Sequence, residues 1–200
     1  MALLSAVFAR AAKLGGRWGM PGAWVLPLAV LLVAGPRLAA QTVRASEYQV
    51  KAVFLFNFAQ FVDWPAEAFP DSDTPLVICV LGHDPFGGVL DQTMRDERLG
   101  ERPFRVRRYQ SVDEITICHI LFISRSGGDR PEGILAGLKH RPILTVSEAD
   151  GFAERGGIIR FVTDRNRIRL QINLEVAQAA HLTISSKLLR VAEIVPLRRN

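Results

Sequence analysis

Residues 76–97, "LVICVLGHDPFGGVLDQTMRDE", set the reading of the whole chain. Six consecutive apolar residues, Leu76–Leu81, stop at Gly82; a run that short and that continuous reads as a strand buried on both faces. The following segment reads as a helix, with Asp84 expected as its N-cap and Pro85 at its first helical position. A buried strand feeding a helix is the opening half of a βαβ unit.

Downstream residues repeat the pattern. "FRVRRY" (104–109) alternates with period two, as an edge strand does, and "SVDEI" (111–115) reads as a short helix. "TICHILFIS" (116–124) and "PILTVSE" (142–148) are two more buried strands, separated by the glycine loop "SRSGGDR" and a short helix at "PEGILAGLKH" (131–140). Such alternation implies parallel strands joined by right-handed crossovers, hence a three-layer α/β sheet. After residue 156 the rhythm changes. "GIIRFVTDRNRIRLQIN" (157–173) reads as an antiparallel hairpin about "TDRNR", and "LEVAQAAHLTISSKLLRVAEIV" (174–195) as two short helices.

Upstream lies "YQVKAVFLFNFAQFVDWP" (48–65). At 100° per residue, Tyr48, Leu55, Phe58, Ala59 and Val62 share an arc that Phe54 and Phe61 widen. Gln49, Asn57, Gln60 and Asp63 share the opposite arc, so the segment is an amphipathic helix and no bilayer span. Pro65 ends it, because the residue before a proline is disfavoured in helical geometry. Lys51 falls within the apolar arc and is expected to snorkel or to meet a carboxylate. Val53, Phe56 and Trp64 fall among the polar residues, where they mark either a second packing layer or a partner surface.

The first forty residues read as a secretory signal peptide. Arg10, Lys13 and Arg17 precede the apolar run "AWVLPLAVLLVAG" (23–35), and small residues offer cleavage after Ala40 or Ala45. The run is shorter than the roughly 20 residues of a spanning helix and is broken by Pro27. Of the 25 basic residues four lie in this leader, which has no acid; the remainder carries 21 basic and 20 acidic residues, a net of +1. The high whole-chain pI is therefore poor support for nucleic-acid binding. Export also bears on Cys79 and Cys118, the only cysteines. An even count in an oxidising compartment favours a disulfide; the other reading is two buried thiols in neighbouring strands.

Few residues point to chemistry. The loops "GHDPFGG" and "SRSGGDR" both stand at carboxyl ends of strands, where doubly wound sheets bind ligands. That makes His83, Asp84, Ser124, Arg125 and Ser126 candidates for a small-anion crevice, against the plainer reading that glycines and Asp84 only shape two turns. Neither loop matches a dinucleotide or P-loop pattern. The four histidines lack metal-ligand spacing, so no metal or cofactor is expected, and His119 reads as a satisfied core or inter-strand residue. No G-x-S-x-G elbow presents a nucleophile.

Five blocks in order after the leader, "KAVFLFNFAQFVDWP", "LVICVLGHDPFG", "CHILFIS", "ILTVSEADGFAERGG" and "IRLQINLEVAQAAHLTISSKLL", resemble the YfiR family over about residues 47–195. The resemblance implies a domain at about 46–197 with a Rossmann-like fold, no enzymatic activity and residence in the periplasm. It further implies a repressor that binds the periplasmic domain of an inner-membrane diguanylate cyclase and keeps cyclic-di-GMP low. An outer-membrane OmpA-like lipoprotein sequesters such a repressor, and members are often homodimers. Cys79 and Cys118 stand where the family commonly has cysteines; a second, closer pair found in some members is absent. The alternative reading is a periplasmic small-ligand sensor feeding a histidine kinase or another membrane receptor.

Overall fold

The computed structural model describes residues 35–125, 131–165 and 167–198. The proposed leader falls largely outside the described residues, as does Ser126. The chain divides into two compact units, 1–40 and 41–200, and the second holds the sheet. Helix α1 (Gly35–Phe61) is followed by β1 (Val62–Asp63), β2 (Leu76–Leu81), α2 (Gly88–Met94), β3 (Arg98–Leu99) and β4 (Arg102–Tyr109). Then come β5 (Ile120–Ile123), α3 (Pro131–Gly137), β6 (Leu144–Ser147), β7 (Ile159–Asp164) and β8 (Arg167–Ile172). The chain closes with α4 (Leu174–Ala179), β9 (Thr183–Ile184), α5 (Ser186–Leu189) and β10 (Ala192–Ile194).

Eight strands form one sheet in the order β10-β8-β7-β6-β5-β2-β4-β3. Pairing from β4 through β7 is parallel, while β7–β8 is the expected antiparallel hairpin, with Ile159 opposite Ile172. Strand alternation divides the core in two. Leu76, Ile78 and Val80 face one cluster with Ile120 and Phe122; Val77, Cys79 and Leu81 face the other with Leu121 and Ile123. Helices α1 and α2 cover the first face and α3 the second, which gives the three layers. On α1, Leu55, Phe58 and Ala59 are buried in the first cluster, as is Val62 of β1. Each of the larger side chains contributes about 1.5–3 kcal/mol by leaving water. Facing α3, Phe152 leans so closely over Gly157 that a Cβ there would lie 2.1 Å from its ring; only glycine fits.

Four local expectations are corrected. Helix α1 stops at Phe61, three residues before Trp64, because Val62 and Asp63 pair antiparallel with Ile184 and Thr183. The Phe61 carbonyl, left without an intrahelical donor, accepts the Ser185 N–H at 2.8 Å. Asp84 does not cap α2, whose N-cap is Gly87; the Asp84 carboxylate instead accepts the Phe86 N–H at 2.8 Å and meets Arg108. "SVDEI" forms only a single 3-10 turn at Val112–Glu114. The C-terminal segment holds two strands besides its helices: β9, and β10 running parallel to β8 as an outer strand.

Candidate functional site

The three side chains singled out on and after α1 meet different surroundings. Val53 is 48 % exposed, and Val50, one turn earlier on the same side, is 45 % exposed. Gln49 and Gln60 are exposed on this outer face as well. Two valines at i and i+3 on a solvated helix face form a short apolar stripe of the kind that docks into a groove. Phe56 is half-buried, its ring 5.2 Å from that of Phe104. Trp64 is also half-buried, edge-on to Phe69 at 6.5 Å and to His119 at 6.3 Å. Its indole Nε1 is buried without a hydrogen-bond partner among the described residues. The reading from sequence missed Val50; its one signal is its spacing from Val53.

The aromatic cluster around Trp64 closes the amino end of the sheet. His119 is buried, accepts the Val77 N–H on Nδ1 at 3.0 Å and donates from Nε2 to the Ala68 carbonyl at 3.0 Å. Phe69 stacks on its ring at 4.4 Å, and the Arg102 guanidinium lies 4.3 Å above Phe69. Arg102 also donates to the Asp71 and Thr74 carbonyls. His119 and Arg102 thus pin the 65–75 connector to β2 and β4. Burial, with a smaller contribution from Arg102, holds the His119 pKa below its ordinary value of 6.5, although the Ala68 carbonyl favours the charged ring. Because the folded pKa is lowered, the contribution of His119 is complete above about pH 6.5 and is lost as pH falls below it toward the folded value. The urea midpoint is accordingly expected to drop more between pH 7.5 and 5.5 in the wild type than in His119→Asn. An asparagine oxygen can replace Nδ1 as acceptor and does not titrate; equal drops would discard the account.

His83 and Asp84 follow β2, and Ser124 and Arg125 follow the neighbouring strand β5, while Ser126 lies outside the described residues. β2 has β4 on one side and β5 on the other, and the crossovers leave on opposite faces, so their carboxyl ends form a switch point. His83 is exposed there, and Ser124, at the end of β5, is buried with its N–H on the Leu81 carbonyl at 3.0 Å. The charged groups are engaged by one another. Arg108 sits between Asp91 and Asp84, whose hydrogen bonds and charge raise its pKa further, and its own hydrogen bond and charge lower that of Asp91. Arg125 pairs with Asp150 at 3.3 Å, and Asp150 also meets Arg160. The loop ends are therefore tied by paired charges.

A buried network stands beside them. Lys51, 1 % exposed, donates to Glu148 Oε1 at 2.7 Å and meets Glu47 on its own helix. Tyr48 donates to Glu148 Oε2 at 3.2 Å, and Thr163 to Glu47 at 2.7 Å. The Lys51 ammonium also lies 4.8 Å from the Tyr48 ring centroid. Lys51 thus joins α1 to the end of β6. Cys79 of β2 and Cys118, just before β5, are joined by a disulfide with Cα atoms 6.1 Å apart.

Among the described residues no helix is long and apolar enough to cross a membrane, and no group of His, Cys, Asp or Glu is placed to hold a metal ion. No curated protein matches the chain. The profile of the YfiR/HmsC-like family matches residues 48–193, from the first residue of the aromatic segment into β10. That span covers every strand of the sheet but the last residue of β10, and it includes the disulfide, the connector and the Lys51 network apart from Glu47. The chain therefore belongs to the YfiR/HmsC-like family, regulatory periplasmic proteins that act in diguanylate cyclase signalling with membrane-associated partners.

Proposed function

We propose that this protein inhibits an inner-membrane diguanylate cyclase by binding the cyclase's periplasmic domain, and that an outer-membrane OmpA-like lipoprotein relieves the inhibition by sequestering it. It acts without turnover and reaches the periplasm by the N-terminal leader. Beside family membership, the observation that carries this reading is the outer face of α1. Val50 and Val53 stand in solvent on a helix whose other side is fixed in the core, and Phe56 lies at the edge of that face. A rigid helix presents such a stripe without an ordering cost on binding.

Regulation then follows from mass action. The cyclase state that the repressor binds is favoured in proportion to free repressor over its Kd, and a competing partner acts only by lowering the free concentration. Trp64 belongs to the same proposal as an inner support, since its ring holds the connector next to α1's end.

The test uses Val53→Asp and Val50→Asp. Both positions are exposed, so the melting temperature is expected to stay within about 2 °C, as for surface substitutions generally. Affinity for the purified cyclase periplasmic domain is expected to fall at least tenfold, about 1.4 kcal/mol, as a charge enters an apolar contact. Phe56→Ala is less discriminating, because it also removes packing on Phe104. Unchanged affinity in both aspartate variants would remove α1 from the interface.

A further inference from the structure

A cleft of about 480 Å³ opens between α3 and α4, away from both the outer face of α1 and the strand carboxyl ends. Its floor is the start of β6 and β7: Ile143, Thr145 and Ile158, all buried. Leu135 and Leu138 form the α3 wall, Val176 and Ala179 the α4 wall. Leu197 closes one side, and the tail that carries it is tied down by the Arg198 N–H on the Glu154 carbonyl at 2.7 Å. The one hydroxyl on the floor, Thr145 Oγ1, accepts the Ile158 N–H at 3.0 Å. The floor and the two helix walls therefore offer mainly apolar surface. Its volume lies within the roughly 300–1,000 Å³ typical of small-molecule sites.

The rim carries Lys139, Arg141 and Arg155 beside Glu132 and Glu175, and its cations are not equivalent. Arg155 is paired with Glu132 at 2.7 Å, and Arg141 donates to the Ile115 and Thr116 carbonyls. Lys139, exposed at the mouth, has no side-chain partner among the described residues. His140 follows it in the left-handed region, φ 64°, where α3 turns back toward β6. An apolar socket with one uncommitted ammonium at its mouth selects a molecule with the reverse arrangement. We propose that the cleft binds an anionic amphiphile, with its apolar body on Ile143 and Ile158 and its carboxylate or equivalent head on Lys139.

The experiment titrates the full chain by calorimetry with three probes of one tail length, each below its aggregation threshold: decanoate, decanol and decyltrimethylammonium. Decanoate is expected to bind at least tenfold more tightly than decanol, and the cationic probe more weakly still. Lys139→Glu is expected to cost decanoate at least tenfold while leaving decanol unchanged. Ala179→Trp and, on the facing wall, Ala136→Trp place an indole in the cleft and should abolish binding of all three. Both alanines are exposed, so either variant that keeps the wild-type melting temperature serves. Absence of decanoate binding, equal binding of the three probes, or binding that survives a folded tryptophan variant would overturn the assignment. None of these results depends on the α1 surface, so this site and the cyclase interface fail separately.

Discussion

Lys51→Met is expected to lower unfolding free energy by about 3 kcal/mol, the largest loss foreseen for a single side chain here. The lysine is buried against two carboxylates, Glu47 one turn away on its own helix and Glu148, 97 residues further along the chain. Methionine keeps the length of the stem but removes the ammonium, so the carboxylates face one another without a counter-ion and lose their donor. Measured costs of breaking a buried pair run to about 3–5 kcal/mol. The low end applies because side chains of Glu47 and Glu148 retain 26 % and 15 % of their exposure. The effect is one of mismatch more than of lost attraction. The triple change Lys51→Met, Glu47→Gln, Glu148→Gln is therefore expected to recover at least half of the loss, since amides can donate to Tyr48 and Thr163 and carry no charge. Urea unfolding of wild type, the single variant and the triple variant reads this directly. A single variant within about 0.5 kcal/mol of wild type would show that the ammonium contributes nothing net.

Reduction of Cys79–Cys118 is expected to cost a similar amount by a different route. The bridge spans 39 residues and closes a loop that includes α2, β3 and β4. On the chain-entropy account, closing a loop of that size removes about 4 kcal/mol of freedom from the unfolded chain. Both cysteines are buried in the second core cluster, so the native packing changes little when the bond opens. Unfolding free energies of the oxidised protein and of protein held in reductant should differ by about 3–4 kcal/mol. The double variant Cys79→Ala, Cys118→Ala should match the reduced form to within about 1 kcal/mol, the remainder being the volume lost. Two reactive thiols in denatured, unreduced protein would reject the bridge.

Most of the scaffold could be read from sequence because local pattern and tertiary role agree in it. Leu76–Leu81 is apolar at every position because both sheet faces are covered. Leu55, Phe58 and Ala59 recur at helical spacing because a single face of α1 meets the core. What escaped reading depends on residues distant in the chain. Val62 and Asp63 continue the helical arc, yet Thr183 and Ile184 draw them into a ladder, and β10 is written in residues that favour a helix locally. Asp84 before Pro85 has the chemistry of a cap, but Arg108 claims its carboxylate from another strand. Lys51 announced a need for a carboxylate; that Glu148 would supply one could not be seen from either position. The candidate site was legible only as a short list. Val53 stands free as its place on the wheel suggested, whereas Phe56 and Trp64 are held in a second packing layer by Phe104 and Phe69.

The central claim is control of a diguanylate cyclase by contact in the periplasm. The most direct measurement is intracellular cyclic-di-GMP after deletion of the gene, with complementation by wild type and by Val53→Asp. The account predicts a rise on deletion, a return to the starting level with wild type, and no return with the variant at equal periplasmic abundance. A nucleotide level unchanged by deletion would contradict it.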